Sequence, residues 1–362
     1  MRIALVINKL TGGGAERVAT MWATGFCQQG HTVCMIITDD KSPKTYPLPT
    51  EVEVISADVS VKSSVLSKIR ERIVTPFVFR KIFKRWSPDV VISVLPWWMR
   101  NIKWASIGLN LKIISTDHNS FQRPDDAKMS FRMYLKKFYF QGWADAITVL
   151  TQADKDYIGN RLKNVYVLPN PLAFEPIEKD DLKREKIILA MGRLDAGHYK
   201  GFDILIKAFG MTQTDWSLQI VGAGSHESLD KYKKMAKDCG IENRVQFLDY
   251  TDDPVSLFRR ASIFILSSRY EGFGLVLIEA MSQRCACIAC DYFGRQKEIL
   301  CDEKYGMTCL PGDAEALAKA IERMIEDEEY RKSCQHNAPQ RAADYKLENI
   351  MDIWNKIFKE VI

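Results

Sequence analysis

The sequence predicts an α/β protein built from two Rossmann-like, doubly wound domains that face a central cleft, and three observations carry that expectation. The chain has 362 residues, 46% of them hydrophobic and 27% charged, enough apolar material for two cores at about 100–200 residues per domain. Short apolar runs alternate with helical patterns along the whole length, as parallel sheets with crossover helices require. The alternation breaks once, at Pro169, Asn170 and Pro171 and the charged stretch 175–186, which reads as an interdomain link.

In the first half, strands are expected at 2–7, 32–37, 52–56, 90–94, 113–115, 146–150 and 165–168. In the second half they are expected at 187–191, 217–221, 245–248, 263–266, 287–290 and 307–310. The amino-terminal domain then spans 1–170 and the carboxyl-terminal domain 171–344, with a ligand expected at the strand C-terminal ends. Ile350, Ile353, Trp354, Ile357 and Phe358 fall at helical spacing. A last helix over about 345–362 is therefore expected to pack back on the amino-terminal domain.

The composition excludes a disordered or collagen-like chain. The most apolar run, 90–99, is bounded by Asp89 and Arg100, well short of the ~18 residues a membrane span needs. No leader is read before Arg2, and a cytoplasmic protein is expected. Nine scattered cysteines fit reduced thiols better than a disulfide framework. Cys285, Cys287 and Cys290 lie in an apolar run that reads as a buried strand, with no second ligand pair to complete a zinc site.

Charge is uneven. Residues 1–168 hold 24 Lys and Arg against 14 Asp and Glu, a net +10, and the remainder holds 27 against 32, a net −5. From Lys62 to Trp86, eight cations (Lys62, Lys68, Arg70, Arg72, Arg80, Lys81, Lys84, Arg85) stand among Val65, Leu66, Ile69, Ile73, Phe77, Phe79, Ile82 and Phe83. From Lys128 to Trp143, Lys128, Arg132, Lys136 and Lys137 stand among Phe131, Tyr134, Phe138, Tyr139 and Phe140. Two basic amphipathic segments in one half point to an anionic membrane surface. No helix-turn-helix, zinc-finger or single-strand-binding signature accompanies them, so nucleic acid is not an expected partner.

Three motifs could hold phosphate. The first strand runs into Gly12, Gly13 and Gly14 and a helix, a turn that lets backbone amides approach an anion. Arg17 replaces the third glycine of a dinucleotide fingerprint, the Asp39-Asp40 loop after the second strand is uninformative, and a Walker lysine is absent. The strand ending at Met191 is followed by Gly192-Arg193-Leu194 and then Lys200-Gly201-Phe202, two cations able to clamp a diphosphate. The third motif runs from Ser267 to Met281. A helix starting near Gly274 would aim the amides of Phe273, Gly274 and Leu275 at an anion, with Glu271 before it and Glu279 within it. A carboxylate pair beside a phosphate clamp suits a hydroxyl-rich ligand such as a sugar nucleotide.

With these residues in place the chain resembles a family 4 glycosyltransferase of the GT-B fold. Glu271 and Glu279 match its Glu-x7-Glu signature. The turn at 13–17, Thr116-Asp117-His118-Asn119, Pro169-Asn170-Pro171, Gly192-Arg193-Leu194, Lys200-Gly201-Phe202 and Gly222-Ala223-Gly224 follow in the family's order. Two departures stand out. Five residues separate Leu194 from Lys200, and Arg295-Gln296-Lys297-Glu298 occupies the usual Gly-Pro-x-Glu, so Glu298 is given no role.

The resemblance implies that Arg193 and Lys200 neutralise the diphosphate with the amides of Phe273, Gly274 and Leu275. It places Glu279 on the ribose, Glu271 under the transferred sugar and His118 on its hydroxyl face, and lets the loop at Gly14 close over the phosphates. It implies a retaining hexosyltransferase that moves a hexose or N-acetylhexosamine, with UDP favoured as carrier, to a lipid-linked glycan such as an O-antigen precursor on polyprenyl diphosphate. The enzyme would work at the inner face of the cytoplasmic membrane. No Asp-x-Asp metal motif ends a strand, so neither a metal nor a cofactor is expected. A sugar-nucleotide 2-epimerase of the same architecture and a non-enzymatic lipid-phosphate-binding protein are the alternatives, and Arg17 disfavours a nicotinamide dehydrogenase.

Overall fold

The computed structural model describes residues 1–39, 46–59, 65–124, 128–178 and 182–362, and leaves the side chains of 65–71 and 197 undescribed. Asp40, Lys62 and positions 179–181 of the expected link lie outside the described residues, as do the side chains of Val65, Leu66, Lys68, Ile69 and Arg70. The chain forms two compact units, Met1–Pro171 with Leu347–Ile362, and Leu172–Lys346.

The first unit is built on a seven-stranded sheet: β1 Arg2–Ile7, β2 Thr32–Ile37, β3 Glu53–Ser56, β4 Val90–Ser93, β5 Lys112–Thr116, β6 Ala146–Val149 and β7 Val165–Val167. Its order is β3-β2-β1-β4-β5-β6-β7, parallel throughout, with Ile3 paired to Val33 on one side and Val90 on the other. The second unit carries a six-stranded sheet: β8 Glu185–Met191, β9 Ser217–Val221, β10 Val245–Leu248, β11 Ala261–Leu266, β12 Ala286–Cys290 and β13 Gly306–Cys309. Its order is β10-β9-β8-β11-β12-β13. Every strand lies within two residues of an expected run; the central ones are covered on both faces and read as apolar runs. The cysteine run is β12, with Cys285, Cys287 and Cys290 buried.

Helices cover the sheets. In the first unit, α2 Val65–Trp86 and α3 Met99–Ser106 pack around a core that includes Val91, Phe79, Phe83, Trp86, Trp98 and Ile102, while α1 Gly14–Gln28 buries Val18, Trp22 and Phe26 elsewhere. The helix Leu347–Val361 buries Ile350, Met351, Trp354, Ile357 and Phe358. Trp354 packs edge-on to Trp22 and Phe26 of α1 at centroid distances of 5.2 and 5.5 Å, and Tyr166 hydroxyl donates to Glu360 at 2.8 Å.

The structure corrects both basic segments. Phe79, Phe83 and Trp86 of α2 face the core, and Arg80 donates to the carbonyls of Ala105 and Ile107 at 2.9 and 2.6 Å, capping α3. Ile73 and Phe77 do face outward, 60% and 70% exposed. The second segment forms the short helix Phe131–Tyr134, a π-helical turn Leu135–Phe140 and a 3-10 turn Gln141–Trp143. There Lys137 points inward and is buried, while Phe131, Tyr134 and Tyr139 are exposed. No helix among the described residues is long and apolar enough to cross a membrane.

Candidate functional site

In the second unit the strand order reverses between β8 and β11, the position beyond which doubly wound sheets bind ligands at their strand C-termini. β8 runs into Gly192 and Arg193, and β11 runs into Ser267, Ser268 and Glu271. Lys200 ends the short helix Gly197–Lys200 and brings Nζ to 2.6 Å from Glu271 Oε1. Ser268 hydroxyl donates to the same oxygen at 2.7 Å. The longer spacing after Leu194 is taken up by a 3-10 turn and this helix, so the cation still reaches the sheet mouth. The pair keeps 26% and 17% of its side-chain surface exposed, which leaves both charges within reach of a ligand.

The two loops are stitched together. Ser267 hydroxyl donates to Lys200 carbonyl at 2.8 Å, and Arg269 amide donates to Tyr199 carbonyl at 2.8 Å. The Arg269 guanidinium makes a two-pronged contact with Asp203, 2.8 and 2.7 Å, and also donates to His198 carbonyl at 2.7 Å. Partial burial raises the Asp203 pKa, but Arg269 outweighs it and holds the carboxyl below its ordinary value. Gly201 sits at φ 67°, and a Cβ there would come 2.0 Å from Ser267 oxygen, so both the backbone angle and the close approach require glycine.

Arg193 is exposed beside the sheet mouth. The next turn is fixed by Asp195, which accepts from Ser225 amide at 2.9 Å and from the Ser225 and Ser228 hydroxyls at 2.8 Å each. These bonds, with Arg193 contributing, hold its carboxyl below the ordinary value. The Gly222-Ala223-Gly224 loop packs on this segment so closely that a Cβ on Gly222 would lie 1.9 Å from Gly192 oxygen.

Gly274, at φ 91°, caps the helix Leu275–Ser282; Leu277 amide donates to Gly274 carbonyl at 2.8 Å, and the amides ahead of it precede the first intrahelical bond. Phe273 stands one residue before the cap, with its ring buried 5.4 Å from Tyr345. Glu279 lies buried one turn into that helix.

In the first unit, β5 ends at Thr116 and runs into Asp117 and His118. His118 Nδ1 lies 3.2 Å from Asn170 Oδ1, and Nε2 lies 3.3 Å from Thr116 hydroxyl, which itself donates to Val94 carbonyl at 2.8 Å. An amide oxygen only accepts, so the ring proton sits on Nδ1. Burial pushes the His118 pKa down to about 4, against the Asn170 hydrogen bond, which raises it. The ring is therefore neutral near pH 7. Trp22 packs against it at 5.3 Å and is itself backed by Trp354.

Beneath this loop Lys137 Nζ meets Asp117 at 2.8 Å and donates to the carbonyls of Asn119 and Ser120 at 2.7 and 3.1 Å. Gly14 is the exposed first residue of α1, after Gly13 as cap. The Glu16 carboxylate occupies the space a Cβ on Gly13 would need, the placement of the acidic partner in a capping box.

Sequence reasoning missed Asn170, Lys137, Asp203 and Arg269. Arg269 lies inside the motif from Ser267 to Met281 and Asp203 directly follows Lys200-Gly201-Phe202, so a search for opposite charges in the two loops would have paired them. Lys137 and Asp117 are twenty residues apart and carried no such signal.

Residues 12–175 match the family model Glycosyltransferase Family 4, and residues 174–341 match Glycosyl transferases group 1. Over 100% of this chain and 99% of the relative, the sequence is 31% identical to a Campylobacter jejuni enzyme, GalNAc-alpha-(1->4)-GalNAc-alpha-(1->3)-diNAcBac-PP-undecaprenol alpha-1,4-N-acetyl-D-galactosaminyltransferase. Among solved structures, the lipopolysaccharide outer core galactosyltransferase WaaB, apo form, aligns with a TM-score of 0.80 at 20% identity over 100% of both chains. Anabaena HepE in complex with UDP and glucose aligns with a TM-score of 0.79 at 18% identity, over 99% of this chain and 100% of that one. The fold is GT-B, and the chain belongs to glycosyltransferase family 4 as a hexosyltransferase.

Proposed function

We propose that this enzyme moves a hexose or N-acetylhexosamine from a nucleotide diphosphate sugar, UDP-linked by first choice, to a lipid-linked glycan in bacterial surface-glycan synthesis. The observation that carries the reading is the Lys200–Glu271 pair at the β8/β11 reversal, next to the amide-bearing start of the helix Leu275–Ser282. The acceptor class is supported by the undecaprenol-linked substrate in the name of the Campylobacter relative, and the carrier by UDP in the HepE complex.

In this reading Arg193, Lys200 and the amides of Phe273, Gly274 and Leu275 neutralise the diphosphate, Glu279 holds the ribose and Glu271 lies under the sugar. His118, neutral with its proton on Nδ1, accepts a hydrogen bond from a sugar hydroxyl at Nε2, and the loop at Gly14 closes over the phosphates. Negative charge grows on the departing diphosphate as the anomeric carbon becomes oxocarbenium-like, so fixed cations and amides lower the barrier. The α-linkage is retained, and no metal takes part. The outward cations and apolar side chains of the first unit hold the enzyme on the inner, anionic face of the cytoplasmic membrane.

A thermal-shift series with UDP, GDP and their sugars tests the reading, since a ligand of the native state raises the melting temperature. A rise with one family of sugar nucleotides, abolished by Lys200→Ala, is expected. No rise with any of them would count against it. Conversion of the sugar nucleotide without acceptor would favour the epimerase.

A further inference from the structure

We infer that the rings of Tyr199, Tyr270 and Phe293, with the buried Tyr292 as their support, form a platform for the pyranose face of the transferred sugar. The inference rests on reading Lys200 and Glu271 as the pair that binds the sugar nucleotide. Each of these charged residues is preceded by a tyrosine, and the tyrosines meet as the charges do, with Tyr199 and Tyr270 edge to face at 5.2 Å.

The ring series continues onto the next strand. β12 lies beside β11 on the side away from β8 and runs out into Tyr292 and Phe293. Tyr270 lies 6.0 Å from Tyr292, and Tyr292 lies 4.4 Å from Phe293. Tyr292 is buried and backed by Arg295, whose guanidinium has no solvent exposure, sits 4.9 Å from the ring and donates to Tyr292 carbonyl at 3.1 Å. Arg295 stands where the family usually has the glycine of Gly-Pro-x-Glu, so the departure from the motif supports the ring series from behind.

The outer members serve folding poorly. Tyr199 and Phe293 are 46% and 49% exposed, and Phe293 holds a left-handed backbone at φ 52°, which a bulky side chain adopts only under constraint. A strained Phe293 and an exposed Tyr199 at a sheet mouth are accounted for by a ligand.

Strand order says which part of the ligand. A diphosphate at Lys200 has the β9 loop, Gly222-Ala223-Gly224, on one side and β11 and β12 on the other. The Glu271 carboxylate and the rings occupy that second side together. A pyranose has hydroxyls for the carboxylate and a C–H face for the rings, whose π surface is negative. A nucleobase would use the rings and leave the carboxylate without a hydroxyl.

The test measures, by calorimetry on the full-length protein, binding of UDP and of UDP-glucose, UDP-galactose, UDP-N-acetylglucosamine and UDP-N-acetylgalactosamine. Phe293→Ala and Tyr199→Ala change exposed side chains and should each weaken the preferred sugar nucleotide roughly five- to tenfold, with UDP affinity unchanged and Phe293→Tyr close to the parent. Equal weakening of UDP would assign the rings to the base and overturn the inference, as would unchanged sugar-nucleotide binding or an effect confined to acceptor KM. If the parent protein binds neither UDP nor any sugar nucleotide, the reading of Lys200 and Glu271 fails as well. Unaltered variants of a binding-competent parent sink the platform alone.

Discussion

His118 and Lys200 are each fixed by the side-chain oxygen they face, Asn170 Oδ1 for the ring and Glu271 Oε1 for the ammonium. The folded protein keeps His118 neutral down to about pH 4, whereas an unperturbed histidine takes up a proton near 6.5. Between these values the unfolded chain binds more protons, so the stability tied to His118 is complete above pH 6.5 and is lost as pH falls toward 4. A His118→Gln variant should therefore lose less melting temperature than the parent between pH 6.5 and 4.5, and the parent's His118 ring resonances should stay unprotonated through pH 5.5 in NMR titration. A midpoint near 6.5 would remove the buried neutral ring from the account. For the clamp, Lys200→Ala and Arg193→Ala should each slow turnover by roughly 10²-fold, as loss of a group that stabilises developing charge does. Unchanged kcat/KM would exclude that residue. Glu271, Glu279, Lys200 and His118 were legible as candidates because motif order names them. Asn170 was read only as part of a link, since nothing in Pro169-Asn170-Pro171 announces a histidine 52 positions earlier.

At the scale of elements, strands were easier to read than the faces of helices. Strands buried on both sides need no choice of face, whereas α2 offers aromatics and cations around much of its circumference, and the packing of Phe79 and Phe83 decides which side is wet. The π-helical turn Leu135–Phe140 shows the same limit. In sequence Lys137 belongs to a basic run; in the fold it is the buried counter-ion of Asp117, and burial lowers its pKa against that attraction. Removing one member leaves an uncompensated buried charge. Lys137→Met should cost about 3–5 kcal/mol in denaturant unfolding, and adding Asp117→Asn should restore a good part of it. A loss below about 1 kcal/mol would mean that the ion pair does not hold the His118 loop.

At the scale of the whole molecule, the two sheets account for the family, and the surface of the first unit accounts for the proposed location. With Arg80 and Lys137 committed internally, the cations free to meet a membrane narrow to a set that includes Lys81, Lys84, Arg85 and Arg132, with Ile73, Phe77 and Phe131 as apolar companions. The protein should co-sediment with anionic but not neutral vesicles, less so at high salt, where charges are screened over about 8–10 Å. Changing Lys81, Lys84 and Arg85 together to Gln should reduce co-sedimentation while leaving transfer to a short soluble acceptor intact; binding untouched by the three changes would make α2 an ordinary solvated helix. Turnover should survive a chelator, and full loss restored by magnesium would contradict the charge arrangement built on Arg193 and Lys200. The most direct measurement is the NMR configuration of the glycosidic bond formed when the enzyme is given its preferred sugar nucleotide and an undecaprenyl-diphosphate-linked glycan. An α-glycoside that appears only with acceptor present is the predicted result, and a β-glycoside, or sugar nucleotide converted without any acceptor, would contradict the account.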